Sequence, residues 1–241
     1  TPGIQTSFTV TGQGTYTVNA LGIVTFTPVL NYNGTATPVN YTVSDNDGAV
    51  SNTATITVTV TSVNDNPVAN NDTKTTNEDT AVTIDVTAND TDADGTINKA
   101  TVDLDPATPG IQTTFSVTGQ GTYTVNALGI VTFTPVLNYN GTATPVNYTV
   151  SDNDGAVSNT ASLTVTVTSV NDNPVANNDT KTTNEDTAVT IDITANDTDA
   201  DGTVNKATVD LDPATPGIQT SFTVTGQGTY TVSALGIVTF T

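Results

Sequence analysis

Apolar and polar residues alternate with a period of two along most of this 241-residue chain. The pattern is clearest in the segments 81–88, 146–150 and 161–168. Such alternation is typical of strands that pack one face on a core and expose the other face to water. No segment shows a helical period, and glycine, proline and Asn-Asp clusters interrupt the pattern at short intervals. The pattern therefore predicts an all-β protein.

The sequence repeats itself with a period of 107 residues. The pentapeptide Thr-Pro-Gly-Ile-Gln at 1–5 returns at 108–112 and again at 215–219. When the chain is shifted by one period, 134 positions overlay and nine differ, all of them mildly, as in Ile56 against Leu163. An array of interchangeable units is typical of proteins whose function depends on length, reach or multivalency rather than on one active site.

The boundaries of the repeat are predicted at a linker of sequence Val-Asn-Asp-Asn-Pro, found at 63–67 and 170–174. Its proline cannot continue a central ladder and therefore starts the next unit. We expect the C-terminal part of a repeat at 1–65, a complete repeat at 66–172 and the N-terminal part of another at 173–241. The terminal parts would then have unpaired strand edges, which a neighbouring chain could complete. Linkers this short favour an elongated rod.

Eight strand segments are predicted in the complete repeat. This number in about 100 residues favours an immunoglobulin-like or cadherin-like β-sandwich with Greek-key topology, and a small barrel is the alternative. The segments lie near 68–76, 80–88, 97–104, 113–118, 121–126, 130–135, 146–151 and 158–168.

Composition excludes several classes of function. The chain carries 24 acidic residues against four lysines and has no arginine, which argues against nucleic acid as a partner. No apolar run approaches the ~20 residues that span a membrane, so this segment is not expected to insert. Without histidine or cysteine, and with no base beside its serines, the chain is not expected to be an enzyme. Paired acids could support glycosidase chemistry, but they fall at the predicted junctions rather than in a cleft.

The acidic residues are concentrated in the predicted loops. Residues 89–95 lie between the second and third strands, and residues 152–155 lie between the last two. In a sandwich of this topology the two loops meet at the N-terminal end of the unit. The acids at 78–79 and 103–105 are expected at the opposite end, where the linker leads to the next unit and to its acids at 197–201.

Carboxylates crowded in this way repel one another unless a hard cation lies among them. Calcium takes six to eight oxygen ligands, and alternating aspartates before a glycine present such oxygens within one turn. The loop that begins at Asp90 starts like an EF-hand, but Thr101 occupies the position of the closing glutamate and flanking helices are missing. The sequence predicts calcium at the repeat junctions, and solvated acidic loops are the alternative. The candidate ligands are Asp45, Asp47, Asp65, Glu78, Asp79, Asp90, Asp92, Asp94, Asp103, Asp105, Asp152, Asp154, Asn171, Asp172, Asn173, Glu185, Asp197, Asp199 and Asp201.

The linker at 170–174 resembles the interdomain linker of cadherins and of cadherin-like bacterial repeats. Glu78 resembles the calcium-ligating glutamate near the start of a cadherin repeat. Residues 88–92 resemble the aspartate pair that reaches back to the preceding junction, and 151–155 resemble the late Asp-Gly loop. No match to the mid-repeat acidic motif of cadherins is found, so the number of ions per junction stays open.

A second resemblance covers the middle of the repeat. Residues 100–106, 119–123 and 131–135 are similar to the CshA-type fibril repeat of bacterial surface adhesins. Together the two resemblances imply a very large, secreted cell-surface protein whose repeats form a stalk or fibril. Neighbouring repeats of the same chain would be its first partners, and host or surface glycans and proteins would be reached through other regions. The alternative is a repeat that itself binds a glycan or sister protein multivalently.

Overall fold

The computed structural model describes residues 4–241, which form twenty strands and one short 3₁₀ helix, Lys206–Thr208. Seven strands lie before residue 65. They are β1 (Ser7–Val10), β2 (Gly14–Val18), β3 (Val24–Pro28), β4 (Gly34–Thr35), β5 (Val39–Tyr41), β6 (Ala54–Ile56) and β7 (Thr59–Val60).

The complete repeat contains nine strands. They are β8 (Asp72–Asn77), β9 (Val82–Asp85), β10 (Ile97–Asp103), β11 (Thr114–Val117), β12 (Gly121–Val125), β13 (Ile130–Pro135), β14 (Gly141–Thr142), β15 (Val146–Asp152) and β16 (Ala161–Thr168). The last part of the chain contains four more. They are β17 (Val189–Asp192), β18 (Ser221–Val224), β19 (Gly228–Val232) and β20 (Ile237–Phe240).

Two sheets form the complete repeat. One has the order β10-β15-β16-β14, with β8 pairing with β16 in parallel, and the other has the order β11-β12-β13-β9. The remaining pairings in both sheets are antiparallel. This arrangement confirms the predicted all-β sandwich. The strand at Gly141–Thr142 was not predicted, because two residues are too few to show a period.

Alternate residues of the paired strands fill the space between the sheets. In β15, Val146, Tyr148 and Val150 are buried, and the inward positions of β16 are buried in the same way. Tyr123 and Phe133 lie on neighbouring strands with ring centroids 4.5 Å apart. Burying each large apolar side chain contributes roughly 1.5–3 kcal/mol, so this core holds the two sheets together.

The strand limits depart from the prediction at the start of the repeat. Val68 forms only an isolated bridge with Thr91, and continuous pairing begins at Asp72 instead of 68. Likewise β16 begins at Ala161 instead of 158. The unpaired residues 69–71 connect the linker to β8.

Several strands of the terminal parts are more exposed than their copies in the complete repeat. The first part has a three-stranded sheet, β1-β2-β3, and two separate pairs, β4-β7 and β5-β6, whereas the last part has one four-stranded sheet. Tyr41 is 48% exposed, while its counterpart one period later, Tyr148, is fully buried. These parts lack the strands that cover the core of the complete repeat, as the predicted repeat boundaries imply. The boundaries themselves stay a prediction.

Identical sequence adopts different structure in the complete and incomplete repeats. The hexapeptide Asn-Lys-Ala-Thr-Val-Asp belongs to β10 at 98–103 but contains the 3₁₀ helix at 205–210. In the complete repeat this segment pairs with β15, and no counterpart of β15 follows residue 210 within this chain. The cross-strand partner, rather than local preference, therefore decides the conformation.

Candidate cation site at the repeat junctions

The two acidic loops of the complete repeat lie together at its N-terminal end. The backbone N–H of Thr96 donates to Asn153 Oδ1 at 2.8 Å, and the backbone N–H of Asn153 donates to the Thr96 carbonyl at 3.0 Å. The contact follows from topology, because β10 begins where β15 ends and the two strands are antiparallel neighbours.

The preceding linker binds both loops. The backbone N–H of Asp65 donates to Asp94 Oδ1 at 3.1 Å, and Asn64 Nδ2 donates to Asp152 Oδ2 at 2.7 Å. These contacts join residues on both sides of the predicted boundary. Asn64 was not among the predicted ligands, although its place in the Asn-Asp-Asn linker could have signalled it.

Asp152 shapes the second loop from a buried position. Its Oδ1 accepts the backbone N–H groups of Asp154 and Ala156 at 2.8 and 2.9 Å, and that of Gly155 as well. Burial acts to raise its pKa, but the hydrogen bonds from Asn64 and from these N–H groups outweigh it and lower the pKa. The carboxylate is therefore ionised and holds the loop against the linker.

At the second junction, Glu78 anchors the exit of the complete repeat. Its backbone N–H donates to the Thr168 carbonyl at 2.9 Å, and its Oε1 accepts the backbone N–H of Val170. Past this point, the backbone N–H of Asp172 donates to Asp201 Oδ1 of the next unit at 3.1 Å. The end of β16, the linker and the following acidic loop are thus connected through carboxylates.

Several carboxylate oxygens at the junctions are buried and receive no hydrogen bond. At the second junction they are Glu78 Oε2, Asp172 Oδ2 and Asp199 Oδ1, and Asp92 Oδ2 is in the same condition at the first. A buried charged oxygen without a donor is costly, by about 1–3 kcal/mol or more. These atoms therefore call for a positive partner.

The negative charge around Asp172 also favours a bound cation. Burial raises its pKa, and the nearby carboxylates of Asp201, Glu78, Asp79 and Asp199 raise it further. Oxygen ligands of this kind, with excess negative charge and few donors, suit a hard divalent cation. The residues present therefore fit calcium.

The junction carboxylates lie near one another but do not form a complete coordination shell for a cation. Within residues 4–241, no three acidic side chains are already placed close enough together to hold a metal ion. Asp79, for example, accepts the backbone N–H of Asn138 at 2.8 Å through Oδ1. The junction acids are near enough to repel one another, but ligation requires them to move together.

Other candidate ligands serve their own loops. Asp103 Oδ1 accepts the backbone N–H groups of Asp105 and Gln112, and Asp105 Oδ2 accepts the Thr108 hydroxyl. Asp90 Oδ1 accepts the backbone N–H of Asn70 at 2.8 Å. The structure does not connect these acids with the linker. Of the pair that was compared with cadherins, Asp90 faces inward, and it is the neighbouring Asp94 that contacts the linker.

The candidates in the terminal parts make the same local hydrogen bonds as their copies in the complete repeat. Asp45 Oδ1 accepts the backbone N–H groups of Asp47 and Ala49, and Asp197 Oδ1 accepts that of Asn177. Glu185, the copy of Glu78, is exposed. In the linker, Asn171 Nδ2 donates to the Asp172 carbonyl, and Asn173 lies beside the junction cleft.

A buried cluster of oxygen atoms behind the first junction was missed by the sequence analysis. The Tyr148 hydroxyl lies 2.8 Å from the carbonyls of Asn70 and Val86, 3.1 Å from Asp72 Oδ2 and 3.2 Å from Asp90 Oδ1. Burial raises the pKa of Asp72 to about 6. The signal was a polar residue, Asp72, at a position that pairs with inward-facing Leu163.

Comparison with known families gives three matches. Residues 64–169 match the bacterial cadherin-like domain, residues 3–60 match the surface adhesin CshA repetitive domain, and residues 171–241 match the bacterial Ig domain. Moved by one period, the match at 3–60 falls at 110–167, inside the complete repeat, and the match at 171–241 falls at 64–134, which also includes the end of the linker. A search among curated proteins gave no match.

The matched families are adhesin and immunoglobulin-like structural repeats rather than enzymes, and they imply placement at the cell surface or outside the cell. None of the helical structure described between residues 4 and 241 is long and apolar enough to cross a bilayer. The sandwich fold, the repeated linkers and the three matches agree. The chain is thus a tandem array of repeats that are similar to the bacterial cadherin-like domain, the bacterial Ig domain and the repetitive domain of a surface adhesin.

Proposed function

We propose that this chain is a stalk segment of a large cell-surface adhesin, and that calcium at each repeat junction stiffens it. The observation that carries the proposal is the set of buried carboxylate oxygens without hydrogen-bond donors at the second junction, on Glu78, Asp172 and Asp199. They come from the complete repeat, the linker and the next repeat in turn. A cation bound among them would connect all three.

The residues that would hold the ion follow from this geometry. At the second junction they are Glu78, Asp79, Asp172, Asp199 and Asp201. At the first junction, the linker meets Asp94 and Asp152, with Asp92 beside them.

Calcium would act here as a mechanical switch. The chain has a formal charge of −20, and without a cation the junction carboxylates push the adjoining repeats apart. A bound divalent ion replaces this repulsion by attraction from both sides, which restricts bending. Because the repeats are nearly identical, every junction would stiffen over the same calcium range and hold a distal adhesive region away from the cell.

Chelation tests the proposal. With calcium, we expect a larger radius of gyration in small-angle X-ray scattering and a higher melting temperature than in chelator. An ion at a hundred times its Kd would stabilise the folded repeat by about 2.7 kcal/mol. Magnesium is the matched control, because it keeps its water shell and demands a stricter geometry. Scattering and melting curves that are the same in calcium and in chelator would contradict the proposal.

A repeat that itself binds glycans remains the second candidate. Glycan sites generally offer exposed aromatic rings, but in the complete repeat Tyr123, Tyr148 and Phe133 are buried. The structure therefore favours the stalk. Saturable binding of the purified chain on a glycan array would favour the binding module instead.

A further inference from the structure

A cleft of about 310 Å³ opens between the complete repeat and the next one, beside the acidic cluster. Leu137 and Asn138 of the complete repeat form one wall, and Asp172 of the linker lies between the walls. The other wall comes from the next repeat and includes Val175 and Ala200. The two repeats thus face each other across an open gap.

Two apolar side chains stand exposed on these opposite walls. Leu137 is 80% exposed and Val175 is 58% exposed. A single exposed leucine is ordinary on a protein surface. Two exposed apolar side chains on facing walls of one cleft, however, would bury apolar surface against each other if the cleft closed. Val175 is also firmly placed, because it exchanges two backbone hydrogen bonds with Thr198, at 2.7 and 3.0 Å.

The loop that carries Leu137 is fixed to the acidic cluster. Asn138 has a left-handed backbone with φ of 57°, which asparagine tolerates better than most residues. Its N–H donates to Asp79 Oδ1 at 2.8 Å, and Asp79 directly follows Glu78. The backbone N–H of Tyr139 donates to the Val136 carbonyl at 3.1 Å and closes the turn. Movement of the junction acids is therefore transmitted to Leu137.

A similar exposed leucine occurs one period earlier. Leu30 is 91% exposed, and Asn31 has φ of 59°. Leu30 lines a cleft of about 350 Å³ together with Asp65 of the linker and Asp94 of the complete repeat. An exposed leucine that lines a cleft beside the linker is thus a feature of both junctions.

We propose that Leu137 and Val175 form an apolar latch between neighbouring repeats, which closes when a cation draws the junction carboxylates together. The proposal rests on the calcium site proposed above. Closing the cleft brings Leu137 onto Val175 and Ala200 and removes apolar surface from water. A closed latch resists reopening of this cleft and thereby selects a preferred angle between repeats.

Spin-label distances in the full chain test the latch. The sequence has no cysteine, so Thr124→Cys and Thr231→Cys, both exposed and one period apart, place one label on each repeat. The test variants are Leu137→Ser and Val175→Ser. Leu128→Ser is the control, because Leu128 is 67% exposed in the turn between β12 and β13 and does not line the cleft. Calcium binding is measured by titration calorimetry on the same samples.

With calcium, we expect one narrow distance distribution for the parent chain and for Leu128→Ser. Leu137→Ser and Val175→Ser should broaden it at least twofold while changing the calcium Kd by less than about threefold. The double variant should be no broader than either single one, since both remove the same contact. If Leu137→Ser stays as narrow as the parent while calcium still binds, the latch is wrong and the calcium site stands. If the parent chain binds no calcium, the proposed function fails, and the latch fails with it.

Discussion

Asp172 donates its backbone N–H to Asp201 Oδ1 across the second junction at 3.1 Å, and one period earlier Asp65 and Asp94 make the same contact at the same distance. The linker is therefore fastened to the following repeat in one way at both junctions. Each period of the sequence specifies a domain and also the joint to its neighbour. A stalk assembled from such units has the same joint throughout its length.

Glu78→Gln should weaken calcium binding at the second junction. The substitution removes a negative charge from a buried carboxyl whose Oε2 has no donor. We expect the calcium Kd of that site to rise about 10- to 100-fold, a range typical of damaged metal sites. Titration calorimetry and the calcium-dependent shift in melting temperature measure the effect.

The chain contains a matched control for this substitution. Glu185 is the copy of Glu78 in the same Asn-Glu-Asp sequence, but it is exposed. Glu185→Gln should therefore leave calcium binding nearly unchanged. Equal effects of the two substitutions would mean that total charge, and not the junction geometry, governs calcium binding.

Most strands and the meeting of the acidic loops could be predicted from the sequence, because the strands follow from local alternation and the meeting of the loops follows from the expected topology. The alternation in β15 and β16 reports which residues face the core, and sandwich topology then brings the loops that contain Thr96 and Asn153 to one end. The repeated linker likewise marked both junctions. These features follow from the residue pattern and the topology without knowledge of individual side-chain contacts.

The remaining features depend on particular side-chain and cross-strand contacts that the alternation does not show. Asp72 is buried because it reaches Tyr148, 76 residues later. Lys206–Thr208 is helical because its cross-strand partner is missing, although the same residues at 99–101 are in a strand. The acids at 103 and 105 looked equivalent to other acids in sequence, yet their own loop uses their oxygens. Spacing alone does not reveal such partners.

Asp72→Asn should stabilise the complete repeat at neutral pH. Burial raises the pKa of Asp72 to about 6 from 3.8, with smaller contributions from Asp90 and Asp85 against the hydrogen bond from Tyr148. The folded state therefore binds the proton more tightly than the unfolded state. Ionised Asp72 opposes folding above pH 6, and this disadvantage fades as pH falls towards 4.

The expected increase in the free energy of unfolding at pH 7 to 8 is about 1–2 kcal/mol. One pKa unit corresponds to about 1.4 kcal/mol, and solvent screening reduces the effect. Denaturant unfolding in chelator, followed from pH 4 to 8, measures it. Asp179→Asn is the control, since this copy of Asp72 is exposed. A variant that is less stable than the parent at pH 7 would show that the lost carboxylate contact outweighs the burial of its charge.

Tyr148→Phe should lower the free energy of unfolding more than Tyr123→Phe does. The Tyr148 hydroxyl lies among the carbonyls of Asn70 and Val86 and the carboxyl of Asp72, whereas the Tyr123 hydroxyl donates only to the Thr144 carbonyl, at 3.2 Å. Because the hydroxyl has a single proton, Tyr148→Phe removes the one O–H donor from a buried site that is crowded with oxygens. We expect a loss of about 2–3 kcal/mol for Tyr148→Phe and about 1 kcal/mol for Tyr123→Phe by chemical unfolding. Equal losses would show that water or a protonated Asp72 replaces the hydroxyl.

Gly121→Ala should destabilise the core, because the backbone of β12 lies directly against an aromatic ring. A Cβ at this position would lie 2.5 Å from both Phe133 Cζ and the Thr134 carbonyl oxygen. The ring cannot retreat, since Phe133 is buried and packs on Tyr123 at a centroid distance of 4.5 Å. We expect a loss of about 2–4 kcal/mol in denaturant unfolding, at or above the usual range for overpacking.

Gly119→Ala is the matched control. Gly119 has φ of 74° but open space around it, so only backbone strain of about 1 kcal/mol is expected. A loss at Gly121 no larger than that at Gly119 would mean that the sheet yields to the added methyl group, and that the close approach of ring and backbone is not required for the sandwich.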